Sequence, residues 1–227
     1  MRLGSSRPLR AAFFCAWLAG CASPSPPNDG WHDVALPGKP KTLYRWHGEG
    51  AQRELHASAD ATASMFRRRL PPVSEAPGEI RFSWWVQTLP EGADVGAAEA
   101  TDAAARVMLA FDGDTSKLTP RNQLMFELAR TLSGEAPPYA TLVYVWDVKA
   151  PVGSVIVHPR SDRVRKIVVE SGPAALGQWR SYRRSLTEDF QLAFGEAPGR
   201  IQAVAVMTDG DNTRSRLRTR YRDIELR

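Results

Sequence analysis

Between Ile80 and Gln87 apolar and polar residues alternate strictly, with Ile80, Phe82, Trp84 and Val86 on one face and Arg81, Ser83, Trp85 and Gln87 on the other. A period of two is the signature of a half-buried strand, and it turns two adjacent tryptophans in opposite directions. The same period recurs at Arg106 to Phe111, where Val107, Leu109 and Phe111 share a side, and at Leu142 to Val148, where Leu142, Tyr144, Trp146 and Val148 do. Gly153 to His158, Val164 to Glu170, Ile201 to Thr208 and Arg222 to Leu226 continue the series, separated by turn residues such as Pro159-Arg160-Ser161-Asp162. Many short strands with little helical periodicity between them predict a mainly β fold. The expected form is an antiparallel two-sheet sandwich.

Two helices interrupt the strands. Thr119 is placed to cap the first, Pro120 suits its first turn, Leu124, Leu128 and Leu132 repeat every four residues, and Gly134 ends it. A shorter helical turn is predicted from Thr187 to Phe194, with Glu188 and Asp189 beside its positive end. Gly92 to Ala105, rich in alanine, glycine and acids, reads as a mobile loop.

The N-terminus has a different pattern. Arg2, Arg7 and Arg10 precede an apolar run from Ala11 to Ala19, which is the order of a secretory signal and too short to span a bilayer. Leu18-Ala19-Gly20-Cys21 resembles the lipobox of bacterial lipoproteins, in which the cysteine sulfur carries diacylglycerol. The expected organisation is a signal peptide over 1–20, a lipidated Pro/Ser linker over 21–29 starting at Cys21, and one sandwich domain over 30–227. Ala22 lacks the acidic inner-membrane retention signal, so the expected address is the outer membrane, facing the periplasm.

Composition then narrows the chemistry. Cys15 and Cys21 are the only cysteines, so the mature domain is expected to have no disulfide, zinc–thiolate site or cysteine nucleophile. The net charge of +5 includes the three leader arginines and no leader acid, so it falls by three to +2 in the mature chain. Arg67-Arg68-Arg69 and the arginines from Arg214 to Arg222 read as solvated faces, and nucleic acid is not an expected partner.

Thr208-Asp209-Gly210-Asp211-Asn212-Thr213 is the densest polar cluster. It resembles the nucleophile loop of haloacid-dehalogenase phosphatases, but it comes near the end of a chain patterned for antiparallel strands, whereas that family needs a parallel sheet downstream. An EF-hand counted from Asp209 would require glycine at the sixth position and glutamate at the twelfth, which are Arg214 and Arg220. A looser calcium site at Asp209 and Asp211 stays open, beside the plainer reading of a turn whose side chains cap their own backbone.

Trp85, beside Arg81 and Gln87, offers an aromatic platform for a sugar ring, while Trp84 and Trp146 lie on apolar stripes and read as core. Ligand contact is therefore expected at Trp85, Arg81, Arg106, Asp209 and Asp211, and no catalytic residue is assigned. The alternative is an envelope-sugar hydrolase using two of Asp102, Asp147, Asp189, Asp209 and Asp211 as acid and base. A third reading is a structural subunit covered by an envelope protein. His32, His47, His56 and His158 lack metal-pair spacing and read as structural.

Several strings together resemble a family of bacterial exported proteins, domain-of-unknown-function family 3047. They are Phe82-Ser83-Trp84-Trp85-Val86, Asp102 through Ala105-Arg106-Val107, Leu142-Val143-Tyr144-Val145-Trp146, Val164 through Gly172, Asp189-Phe190 with Phe194-Gly195-Glu196, Thr208 through Thr213 and Tyr221-Arg222-Asp223-Ile224. The resemblance implies a fold rather than an activity. The closing Tyr-x-Asp-Ile-x-Leu is also similar to the last strand of galactose-binding-type sandwiches, which implies a ligand-binding jelly roll.

Overall fold

The computed structural model describes Met1, residues 30–71 and residues 78–227. The leader and Cys21 lie outside the described residues. Twelve strands occur among those described, namely β1 Trp31–Ala35, β2 Leu43–His47, β3 Glu54–Asp60, β4 Ala63–Arg69, β5 Glu79–Val86, β6 Ala103–Phe111, β7 Ala140–Asp147, β8 Val155–His158, β9 Ser161–Ser171, β10 Trp179–Ser185, β11 Ile201–Asp209 and β12 Arg216–Leu226. They form a seven-stranded sheet in the order β1-β4-β11-β6-β7-β9-β8 and a five-stranded sheet in the order β10-β5-β12-β3-β2. This is the two-sheet sandwich that the alternation predicts.

One pairing departs from the antiparallel rule. β9 runs parallel to β7, with Tyr144 opposite Ile167, because β8 lies outermost and folds back on β9 as a hairpin. The chain thus leaves β7, makes the edge strand, and returns between the two.

The core lies between the sheets and is built from the predicted stripes. Ile80, Phe82, Trp84 and Val86 face Leu142, Tyr144 and Trp146, and all seven are buried. Phe82 stacks on Tyr144 at 5.4 Å, and Trp84 lies 6.3 Å from Trp146. Burial of a ring system of this size is worth about 5 kcal/mol, so these pairs dominate the packing of the two layers.

A buried polar knot ties the sheets together where β11 ends. Thr208 donates its hydroxyl to the carbonyl of Ala104 at 2.9 Å, Thr219 does the same at 2.6 Å, and Tyr221 donates to the carbonyl of Met207 at 2.9 Å. Tyr44 accepts from the Thr208 amide at 3.1 Å and donates to the carbonyl of Ser64 at 2.8 Å. The register between β11 and β6 shifts between Met207 and Asp209, and these bonds satisfy the backbone that the irregularity leaves unpaired.

Helix α1, Pro120–Ser133, begins and ends where the caps predict: Thr119 Oγ1 accepts from the Asn122 amide at 3.3 Å, and Gly134 has φ 73°. Two leucines of its stripe are not covered. Leu124 is 70 % exposed and Leu128 48 %, while Phe126 packs toward the core. Spacing of four shows which residues share a face, and carries no information on what that face meets. Helix α2, Leu186–Phe194, is capped by Ser185 and buries Phe190 against Phe111 at 4.7 Å.

Candidate functional site: a cleft on the outer face of the seven-stranded sheet

Strand alternation that sends Val204, Val206 and Thr208 inward turns Ala205, Met207 and Asp209 outward. On the neighbouring strands Met65, Arg106, Met108, Val143 and Lys166 face the same way, as the registers require. With Leu36 and Lys39 from the β1–β2 connection, His158 at the end of β8 and Arg160 from the β8–β9 turn, they line a cleft of about 270 Å³. Three methionines and two valines make part of its lining apolar and deformable.

The segment before β6 closes one end of this face. The expectation of a mobile loop over Gly92 to Ala105 is corrected here: Ala103 to Ala105 belong to β6, and Val95 is buried against Ala103, Val145 and Val168. Asp94 accepts the Gly96 amide at 2.9 Å and pairs with Lys149 at 3.1 Å, which fixes the turn. Alanine has little strand preference and leaves no alternation to read, so the composition resembled a loop while the residues were small for packing.

Three charged groups sit at the floor with little access to water. Asp209 is 4 % exposed and Lys166 2 %, and Arg106 is likewise buried. Arg106 Nη1 donates to Asp209 Oδ2 at 2.5 Å and its Nη2 to the carbonyl of Thr101. Asp209 Oδ1 is buried and accepts no hydrogen bond among the described residues. Burial pushes the Asp209 carboxyl above its ordinary pKa, Arg106 pulls it down, and neighbouring Asp102 adds to the rise. Lys166 donates to the carbonyl of Val95, and burial, reinforced by Arg106, lowers its amine to about 7. His158 is lowered to about 4, first by burial and then by Lys166, Arg106 and Arg160.

The polar loop after β11 is held from outside. Asp102 accepts the Thr213 amide and hydroxyl at 2.7 Å each and the Asn212 amide at 3.3 Å. The turn expectation had these side chains capping their own backbone; the principal cap is instead a buried carboxylate from the segment before β6. Gly210 lets the loop close, because a Cβ there would stand 2.8 Å from the carbonyl oxygen of Ser215. Lys39 forms an ion pair with Asp211 across the cleft mouth.

Of the residues expected at one site, Arg106, Asp209 and Asp211 come together here. Trp85 and Arg81 lie on the outer face of the five-stranded sheet, on a different layer. Trp85 is half-buried beneath the Arg220 guanidinium at 4.6 Å, its neighbour Trp179 lies under Arg222 at 4.0 Å, and Arg81 pairs with Glu79 at 2.7 Å. Asp147 caps the amides of Lys149 and Ala150 at 2.7 and 2.5 Å, and Asp189 accepts from Tyr144 at 2.8 Å and pairs with Arg184. Neither joins the cleft's carboxylates.

Lys166 and Lys39 are site residues that the sequence reading missed. The signal for Lys166 was present, because alternation places it between Val164 and Val168 on an apolar face, where a lysine is out of character. His158, read as structural, lines the same cleft.

Fold and site together define a two-sheet jelly-roll-type sandwich with a half-apolar, charged-floor cleft on one outer face. The chain belongs to the family described as a protein of unknown function, DUF3047, whose model matches residues 29–225. A search of the curated proteins finds no match. Among solved structures, the family 11 xylanase from Neocallimastix patriciarum is similar at 12 % identity and a TM-score of 0.33, covering 87 % of this chain and 93 % of that one. The xyloglucanase domain of NopAA, a type three effector from Sinorhizobium fredii, in complex with cellobiose, is similar at 8 % identity and a TM-score of 0.30, covering 87 % and 95 %. At these scores neither likeness bears on substrate or activity.

Proposed function

We propose that this protein is a lipid-anchored envelope protein whose sandwich binds a saccharide unit of the envelope in the outer-face cleft, without chemical turnover. The observation that carries the reading is the convergence of Arg106, Asp209 and Lys166, all buried, at the floor of an open cleft. An unpaired buried carboxylate oxygen costs about 1–3 kcal/mol, a cost that a ligand hydroxyl donating to Asp209 Oδ1 would relieve. Donors and acceptors of both signs around a methionine floor suit a sugar ring, whose hydroxyls both give and take hydrogen bonds while its C–H face is apolar.

The anchor rests on Cys21. Diacylglycerol on the sulfur and a further acyl chain would bind a leaflet stably, since each buried methylene contributes about 0.8 kcal/mol. Ala22 favours the outer membrane. Cys21→Ser is expected to move the protein from membrane pellets to the soluble periplasmic fraction.

Hydrolysis by paired aspartates has less support. One carboxylate oxygen from each of Asp102, Asp209 and Asp211 lies within 4.8 Å of the others, closer than the roughly 5–5.5 Å of retaining glycosidases. One observation favours the structural-subunit reading: Leu124, Met125 and Leu128 on α1 are exposed, as a helix awaiting a partner would be.

A glycan array probed with the protein tests the leading reading. Bound glycans are expected to lose at least tenfold in affinity with Lys166→Met and to change less than twofold with Trp85→Ala. A silent array, or binding that depends on Trp85 and not on Lys166, overturns it.

A further inference from the structure

One carboxylate oxygen from each of Asp102, Asp209 and Asp211 lies within 4.8 Å of the others, where the loop after β11 meets the start of β6. An acidic cluster alone is common on surfaces. Here, however, Asp102 and Asp209 are buried, and Asp209 Oδ1 stands without a hydrogen-bond partner among the described residues. Asp209 spends Oδ2 on Arg106 and Asp211 spends Oδ2 on Lys39, whereas Asp102 accepts at both oxygens, at Oδ2 from the Thr213 amide and hydroxyl and at Oδ1 from the Asn212 amide at 3.3 Å, so its offer to a metal is the second lone pair of Oδ1.

We propose that Asp102, Asp209 and Asp211 form a calcium site, and that the Lys39 ammonium is the counter-ion that the metal displaces. Three atoms no further apart than that all lie within about 2.8 Å of a common point, so at most a small contraction brings the three oxygens to the roughly 2.3–2.6 Å that calcium prefers. Magnesium, at 2.0–2.1 Å and with strict octahedral demands, would require a larger collapse of two buried residues. Charge points the same way. Three carboxylates face Arg106 and Lys39, and departure of Lys39 leaves a double negative charge for a dication. Lys166 donates to the Val95 carbonyl and forms no ion pair with the three carboxylates among the described residues, so it contributes a nearby positive charge rather than a direct partner.

Lys39 and Leu36 belong to the same connection, and Leu36 forms part of the cleft wall. Exchange of Lys39 for calcium would free that wall, which couples the metal to cleft access. The site does not depend on the ligand being a saccharide.

Isothermal titration of the full chain in detergent, stripped with chelator and titrated with calcium chloride or magnesium chloride, tests the proposal. One calcium per chain is expected, bound at least tenfold more tightly than magnesium. Asp211→Asn is expected to weaken calcium at least tenfold. Lys39→Met, at an exposed position, is expected to tighten it about fivefold or more, because its competing charge is gone. Absence of calcium binding in both the native protein and Lys39→Met overturns the site. Calcium binding unchanged or weakened by Lys39→Met overturns the displacement.

Discussion

Asp102 and Thr213 stand 111 positions apart, and a single oxygen of the Asp102 carboxylate accepts both the amide and the hydroxyl of Thr213 at 2.7 Å each. The start of β6 is thereby fastened to the loop that follows β11, and the two carboxylates beyond it, Asp209 and Asp211, take their positions from this clasp. Asp102→Ala strands the amide of Thr213 together with that of Asn212. A loss of about 2–4 kcal/mol in urea unfolding is expected, with Asp102→Asn, which keeps one acceptor, losing less.

Arg106 and Asp209 form a buried pair whose worth is best measured by breaking it. Removing either partner leaves a charge without compensation in a dry site, so Arg106→Met and Asp209→Leu are each expected to cost about 3–5 kcal/mol. The double variant is expected to be more stable than either single one. Additive losses in a denaturation cycle would show that the two side chains do not depend on each other.

Trp84 and Trp85 are neighbours with opposite fates. Trp84 is fully buried among Phe82, Trp146 and Tyr182, and its replacement by alanine is expected to cost about 3–5 kcal/mol. Trp85→Ala removes an Arg220 contact on the outside of the sheet and is expected to cost about 1 kcal/mol. Equal losses for the two variants in guanidinium unfolding would contradict the assigned faces.

The lowered pKa of His158 sets a pH window. The unfolded chain takes up a proton near 6.5, whereas the folded protein resists until about 4, so protons bind the unfolded state preferentially between these values. Stability contributed by neutral His158 is therefore complete above pH 6.5 and is lost as the pH falls toward 4. His158→Gln is expected to show a shallower fall in Tm from pH 6.5 to 4.5 than the native protein, as followed by calorimetry.

The sandwich was legible because its inner stripes are written in large residues. β5 and β7 alternate Phe, Trp, Tyr and Leu against smaller or polar neighbours, and no other element type satisfies that period. β1 to β4 and β10 escaped notice for the converse reason: β3 builds its buried face from Leu55, Ala57 and Ala59, and β10, at an edge, carries three arginines in seven residues. Arg106, Asp209 and Asp211 were found because charge next to an apolar strand is conspicuous. Their separation from Trp85 was not readable, because alternation assigns a residue to a face of its own strand and is silent on which sheet that strand joins.

β9 is threaded between β7 and β8, and β8 is the margin of its sheet. Two of the four cations lining the cleft, Arg160 at the hairpin bend and Lys166 one strand in, therefore ride with the neutral His158 on the least supported part of the layer. Fraying at that margin would dismantle the recognition surface while the aromatic interior stayed whole, so loss of binding on warming should precede the cooperative melt.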